Sequence, residues 1–152
     1  MKQSAGILLY RIEEGETQFF LVHPGGPFFA KKNEGWWTIP KGELLEDESP
    51  VEAAVREFKE ETGYRPQEPF IALEPITQKA GKKVFCWAAK GDLDASKITS
   101  NTFEMEWPPK TGRKAVYPEV DKAGWFALAE AKILINERQG ALLDELATIL
   151  KT

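Results

Sequence analysis

Glu57, Glu60 and Glu61 directly follow Arg56 at spacing i, i+3, i+4. On a helix turning about 100° per residue, that spacing gathers three carboxylates on one side. Adjacent like charges on a helix repel, and these sit near the helix C-terminus, the unfavourable end for anions. Two readings compete. In one, the carboxylates form a solvated face with Arg56 and Lys59 as counterions. In the other, they hold a hard divalent cation, which takes oxygen ligands and keeps several waters. With one cysteine (Cys86) and one histidine (His23), the chain has no internal disulfide and no Cys/His zinc site. Its chemistry must therefore run on carboxylates, Lys/Arg and backbone groups.

A helix has to carry those carboxylates, and the flanking residues predict one from about Pro50 to Thr62. Ser49 can cap it, Pro50 suits the first turn, and Glu52 sits where it closes a capping box. Gly63 suits a left-handed stop at the far end. Val51, Val55 and Phe58 fall on one side and are expected to face a sheet. Glu48 lies in the approach, where it can fold back toward the cluster. Ala5 to Tyr10 and Gln18 to His23 read as strands of a hairpin, turned at Glu13 to Glu16. His23 to Pro27 reads as a loop, and Trp36 to Ile39 as a short apolar run ended by Pro40-Lys41-Gly42. Two more strands are expected at Phe70 to Ile76 and Val84 to Ala89, joined by the basic loop Lys79 to Lys83. Asp92 to Arg113 has little periodicity and reads as a long ordered loop, and Trp125-Phe126 as a final short strand. Leu128 to Leu150 carries helical spacing, as two helices broken near Ile135-Asn136.

Strands mixed with few helices indicate an α/β or α+β domain, and 152 residues suit a single one spanning 1–152. Hydrophobic residues at 42% and charged residues at 29% exclude a disordered or collagen-like chain. A net charge of -4 gives no global pull toward nucleic acid or anionic membrane. No apolar run approaches the ~18 residues of a membrane span. The first residues show no cleavage-site signature. A cytoplasmic setting is expected.

Gly42, five residues, Glu48, seven residues, then Arg56-Glu57-Phe58-Lys59-Glu60-Glu61-Thr62-Gly63-Tyr64 matches every position of the Nudix box. At an average residue usage of ~5–7%, seven fixed residues in register arise by chance on the order of once in a million chains of this size. The chain therefore resembles a Nudix hydrolase, and Trp37-Thr-Ile-Pro-Lys41 before the box resembles the family as well. The resemblance implies an α/β/α sandwich with a mixed sheet between helices. It also implies a metal-dependent pyrophosphohydrolase using Mg²⁺, with Mn²⁺ possible in its place. Carried over by motif position, the metal ligands are Glu57, Glu60 and Glu61 with the Gly42 carbonyl. Glu48 completes the outer part of the site, and Arg56 orients the carboxylates and holds them ionised. The expected partner is a small nucleotide in which a nucleoside diphosphate is linked to another group.

Within the family, Pro40-Lys41-Gly42-Glu43 resembles the variant of diadenosine polyphosphate and inositol pyrophosphate hydrolases. The lean is therefore toward diadenosine tetraphosphate, split unequally into ATP and AMP. Lys41 can meet an outer phosphate as a point charge, against the plainer reading of a solvated lysine. Lys79, Lys82 and Lys83 either extend that field or form a charged hairpin tip. Phe28, Phe29, Trp36, Trp37 and Trp107 are candidates for stacking on a base, Trp37 foremost, against the plainer reading of core aromatics. His23 is a satisfied loop histidine or a substrate contact, and Cys86 is inert core. Family members often recruit a late-loop carboxylate as base or ligand. Glu104, Glu106 and Glu119 are the candidates, with Glu119 preferred. Two other functions stay open: pyrophosphate removal from nucleoside triphosphates or 5′-triphosphate RNA, and a non-catalytic nucleotide-sensing module. The acidic balance argues against a long RNA partner, because backbone binding depends on Lys/Arg charge.

Overall fold

Alternation along the first two strands decides which side of the sheet each helix covers. In the computed structural model, which describes residues 2–151, β1 (Gln3–Glu13) and β2 (Glu16–Pro24) form an antiparallel hairpin. Its turn residues Glu14 and Gly15 take φ values of 52° and 81°, the left-handed conformations that match strand twist in a tight hairpin. Ala5, Ile7 and Leu9 of β1 with Phe20 and Val22 of β2 enter one buried cluster. Leu8, Tyr10, Phe19 and Leu21 enter another on the opposite face. Period-2 patterning thus yields two cores from one sheet.

Helix α1 (Pro50–Thr62) covers the first face through Ala53, Ala54 and Phe58. Helices α2 (Leu128–Leu134) and α3 (Gly140–Leu150) cover the second through Ala131, Leu134, Leu142, Leu143 and Leu146. The expected sandwich is present, as is the break near Ile135-Asn136, which a short 3₁₀ turn at Glu137–Gln139 occupies. The stripe on α1 differs from expectation. Ala54, Phe58 and Glu61 form the buried line, while Val51 and Val55 sit only half-buried and line an outer groove with Arg65 and Phe70. Small Ala side chains let the helix approach the sheet closely, and that closeness carries Glu61 inward.

The sheet runs β4 (Phe70–Thr77), β5 (Lys83–Lys90), β1, β2, β8 (Val120–Ala127), with β3 (Lys41–Glu43) also paired to β1. β5 lies parallel to β1 and the other ladders are antiparallel. β1 is forked: residues Ser4 to Gly6 pair with β3, and Tyr10 to Glu13 pair with β2 on the same edge. Residues 38–40 fill the fork, Thr38 bridging to Val22 and the Pro40 carbonyl accepting from the Ile7 amide at 3.3 Å.

Two expectations on the C-terminal half are corrected. The polar stretch is not an uninterrupted loop, because β6 (Thr102–Glu106) lies within it and pairs with β7 (Lys114–Pro118) as a separate ribbon. Phe103 and Met105 alternate with Thr102, Glu104 and Glu106, so a period-2 signal was present but short and heavily charged. The last strand is also longer than Trp125-Phe126, since Val120–Ala127 pairs along β2, with an irregularity at Asp121 where the register shifts between His23 and Pro24.

Candidate active site

Helix α1 is set by its own ends. The Ser49 hydroxyl accepts from the Glu52 amide and the Glu52 carboxylate accepts from the Ser49 amide at 3.0 Å, a closed capping box. Gly63 stops it at φ 83°, its N–H donating to the Lys59 carbonyl at 2.7 Å. A helix fixed at both ends fixes the heading of Glu57, Glu60 and Glu61. Beneath it, β3 passes under the helix with Gly42 opposite Ala5. A Cβ at position 42 would stand 2.1 Å from the Glu57 carboxyl carbon, so glycine is what admits that carboxylate.

Arg56 holds one group of acids. Its guanidinium grips Glu48 through Nε at 2.7 Å and Nη2 at 3.0 Å, and reaches Glu57 at 2.9 Å and Glu60 at 3.1 Å through Nη1. The Glu43 carbonyl takes a further Nη2 bond at 3.0 Å. Contact with so many acceptors holds the guanidinium above its ordinary pKa, with Glu48 the largest cause. The same hydrogen bonds lower Glu48. Glu48 also accepts from the Leu45 amide at 2.9 Å, so both its oxygens bind the approach loop to Arg56.

A second group of acids shares Glu57 with the first. Glu57, Glu61 and Glu119 bring carboxylate oxygens within 4.8 Å of one another, and the Arg56 fork reaches neither Glu61 nor Glu119. Burial first, then the charge of Glu57 and a hydrogen bond shared with it, push Glu61 up to about 9. Glu119 is raised by burial and by the charges of Glu57 and Glu60. Crowded, desolvated oxygens that hold protons against repulsion are the donor set a hard divalent cation satisfies. Glu60 stands outside this trio, on Arg56.

Glu119 reaches the helix by way of a strap. The amides of Thr99 and Asn101 donate to the carbonyls of Thr62 and Glu60 at 2.9 and 2.8 Å, tying residues 99–101 to the last turn of α1. The Asn101 carbonyl accepts from the Glu119 amide at 2.8 Å, and the Ser100 hydroxyl accepts from the Val120 amide at 3.0 Å. On its other side the Glu119 carbonyl accepts from the Gly25 amide at 2.9 Å. Ser100 and Asn101 were not found by sequence reasoning, since nothing local to them signals a contact with a distant helix.

Other candidates fall elsewhere. Lys41 starts on the opposite side of β3 from Gly42, its Cβ 2.7 Å from where a Cβ on Gly6 would lie. Burial lowers its pKa, Lys82 lowers it further, and Glu61, Glu57 and Glu43 oppose the shift. Lys82 and Lys2 approach Glu43 at 3.4 and 4.0 Å. Trp37 is 6% exposed, packed edge-on against Phe126 and His23, with its indole N–H on Asn33. It is a core residue with no open face for a base. His23 is buried in β2, Nε2 donating to the Lys32 carbonyl at 2.6 Å and Nδ1 lying 2.8 Å from Asp121. Phe28, Phe29 and Trp36 cluster around Lys32 at the surface. Trp107 sits at the far end of the ribbon, its amide on the Arg113 carbonyl. Glu104 faces Lys114 at 3.9 Å and Glu106 accepts from the Lys110 and Gly112 amides, both away from the trio. Burial pushes the Cys86 thiol well up, so it is inert. Among the described residues, no helix is long and apolar enough to cross a membrane.

Comparison with solved structures gives the same architecture. A Caenorhabditis elegans Ap4A hydrolase binary complex superposes at TM-score 0.71 with 24% identity, over 99% of this chain and 98% of that one. The NUDIX domain of Shewanella oneidensis NrtR, complexed with ADP ribose, superposes at 0.65 with 18% identity, covering 99% and 88%. A mutT/nudix family protein from Listeria innocua gives 0.64 and 17%, covering 99% and 94%. Among curated protein sequences none gives a significant match. The family model described as NUDIX domain matches residues 2–146. With Glu57, Glu60 and Glu61 carried on α1 above Gly42 and that match spanning nearly the whole length, the chain belongs to the NUDIX domain family.

Proposed function

We propose that the protein is a Mg²⁺-dependent hydrolase of diadenosine tetraphosphate, cleaving it unequally to ATP and AMP. The trio Glu57, Glu61 and Glu119 carries this reading, because three carboxylates with oxygens within 4.8 Å of one another suit a hard divalent cation. Glu57, Glu61 and Glu119 would hold the metal, with the Gly42 carbonyl as a further ligand. A divalent cation held there would supply positive charge for the phosphates, for an attacking water and for the leaving oxygen. Arg56 holds one Glu57 oxygen in place, and Glu48 fixes Arg56. No protein nucleophile is required. The tetraphosphate is favoured by the Ap4A hydrolase among the structural neighbours and by Pro40-Lys41-Gly42-Glu43. The cationic group of Lys2, Lys41 and Lys82 at this end of the sheet supports a long phosphate chain.

Ion-exchange chromatography of the products tests the reading. ATP and AMP in equal amounts, lost with excess chelator, are expected. Two ADP, or no cleavage while a triphosphate or nucleotide sugar is turned over rapidly, overturns it.

A further inference from the structure

The β6–β7 ribbon lies outside both core clusters and outside the main sheet. Its feet are nevertheless part of the site: Asn101 immediately precedes β6, Glu119 immediately follows β7, and the two are joined by the 2.8 Å bond between them. Further along the ladder Phe103 pairs with Tyr117, their rings 6.1 Å apart at 43°. Alternate strand positions share a face, so this aromatic pair stands on the ribbon face where ladder positions 101 and 119 fall, one step of ~7 Å from the Glu119 foot. Both rings are half-buried. The Phe103 ring closes against backbone at Gly26, where φ is 95° and a Cβ would lie 2.9 Å from the ring's Cζ. The ribbon's other face carries Glu104, Glu106 and Lys114, with the exposed Val116.

We propose that the Phe103–Tyr117 face is a nucleobase-stacking site for the nucleotide whose phosphate lies at the Glu57–Glu61–Glu119 cluster. This rests on the reading of the substrate as a nucleotide. A ribose separates a nucleotide's base from its phosphate, and one two-residue strand step separates the aromatic pair from Glu119. Flat rings accept any base through its π face. The ordinary alternative is a cross-strand aromatic pair that only stabilises the ribbon.

Titration calorimetry with adenosine monophosphate and with ribose 5-phosphate, in Mg²⁺ buffer, separates the two. These ligands share phosphate and sugar and differ in the base. The wild-type chain is expected to bind the monophosphate about tenfold or more tightly than the sugar phosphate. Phe103→Leu and Tyr117→Leu, which keep apolar cross-strand contact, should remove most of that advantage and leave ribose 5-phosphate binding unchanged. Tyr117→Phe should retain it. Equal weakening of both ligands, an advantage that survives in the Leu variants, or no advantage in the wild type overturns the site. A wild type that prefers the monophosphate but leaves diadenosine tetraphosphate intact supports the base site while overturning the substrate.

Discussion

Arg56 divides the carboxylates around it. Glu48, Glu60 and one oxygen of Glu57 are satisfied by its fork, while Glu61 and Glu119 lie beyond its reach. Different consequences follow from the two groups. Glu61→Gln keeps shape and removes charge, so it should lower kcat by about 100-fold, a loss near 2.7 kcal/mol of transition-state stabilisation. The same variant should melt no lower than wild type without metal, because it removes a buried, repelled carboxylate. Steady-state kinetics beside thermal melts check both parts, and an unchanged kcat would remove Glu61 from the metal site. Arg56→Lys should cost at least about tenfold in kcat/KM, since a point charge cannot span Glu48, Glu57 and Glu60 together.

The catalytic helix and the strap across its end behave as one unit. The capping box at Ser49 is exposed and local, so Ser49→Ala should cost about 1 kcal/mol. For a chain of this length that is ~2–4 °C in Tm, with kcat nearly unchanged. Ser100→Ala should do the reverse. It removes the hydroxyl that holds the Val120 amide beside Glu119, and should weaken Mn²⁺ binding measured by electron paramagnetic resonance. In a Glu119→Gln background, Ser100→Ala should add nothing further, because both act through one carboxylate. Full additivity would place the role of Ser100 elsewhere.

For the molecule as a whole, the trio links stability to both pH and metal. Glu61 is raised from 4.5 to about 9 by burial and then by Glu57, so between those values the folded chain holds a proton that the unfolded chain releases. Metal-free stability should therefore fall as pH rises through this window. A divalent cation substitutes for that proton, so saturating Mg²⁺ should raise Tm more at pH 8 than at pH 5.5. Scanning calorimetry at the two pH values, with and without Mg²⁺, decides it; an equal gain at both would separate the metal from Glu61.

Helix α1 was legible in the sequence because every signal acts within one helix. Ser49, Pro50, Glu52 and Gly63 set its ends through bonds spanning a few residues, and the spacing of Glu57, Glu60 and Glu61 follows from helical geometry. The two-faced sandwich was implied by the family resemblance, and the unbroken apolar runs in β1 and β2 fit a sheet buried on both sides. Val51 was misplaced because periodicity finds a face but not how closely Ala53 and Ala54 let the helix settle. Trp37 was misjudged because composition cannot tell a packed indole from an open one. Glu119 was one of several acids in sequence, and its meeting with Glu57 and Glu61 depends on residues 99–101 crossing the end of α1 and on the ribbon returning beside them. Local geometry determined the box carboxylates; the long-range return of the chain decided which acid joins them, because that contact spans elements whose separate patterns carry no record of one another.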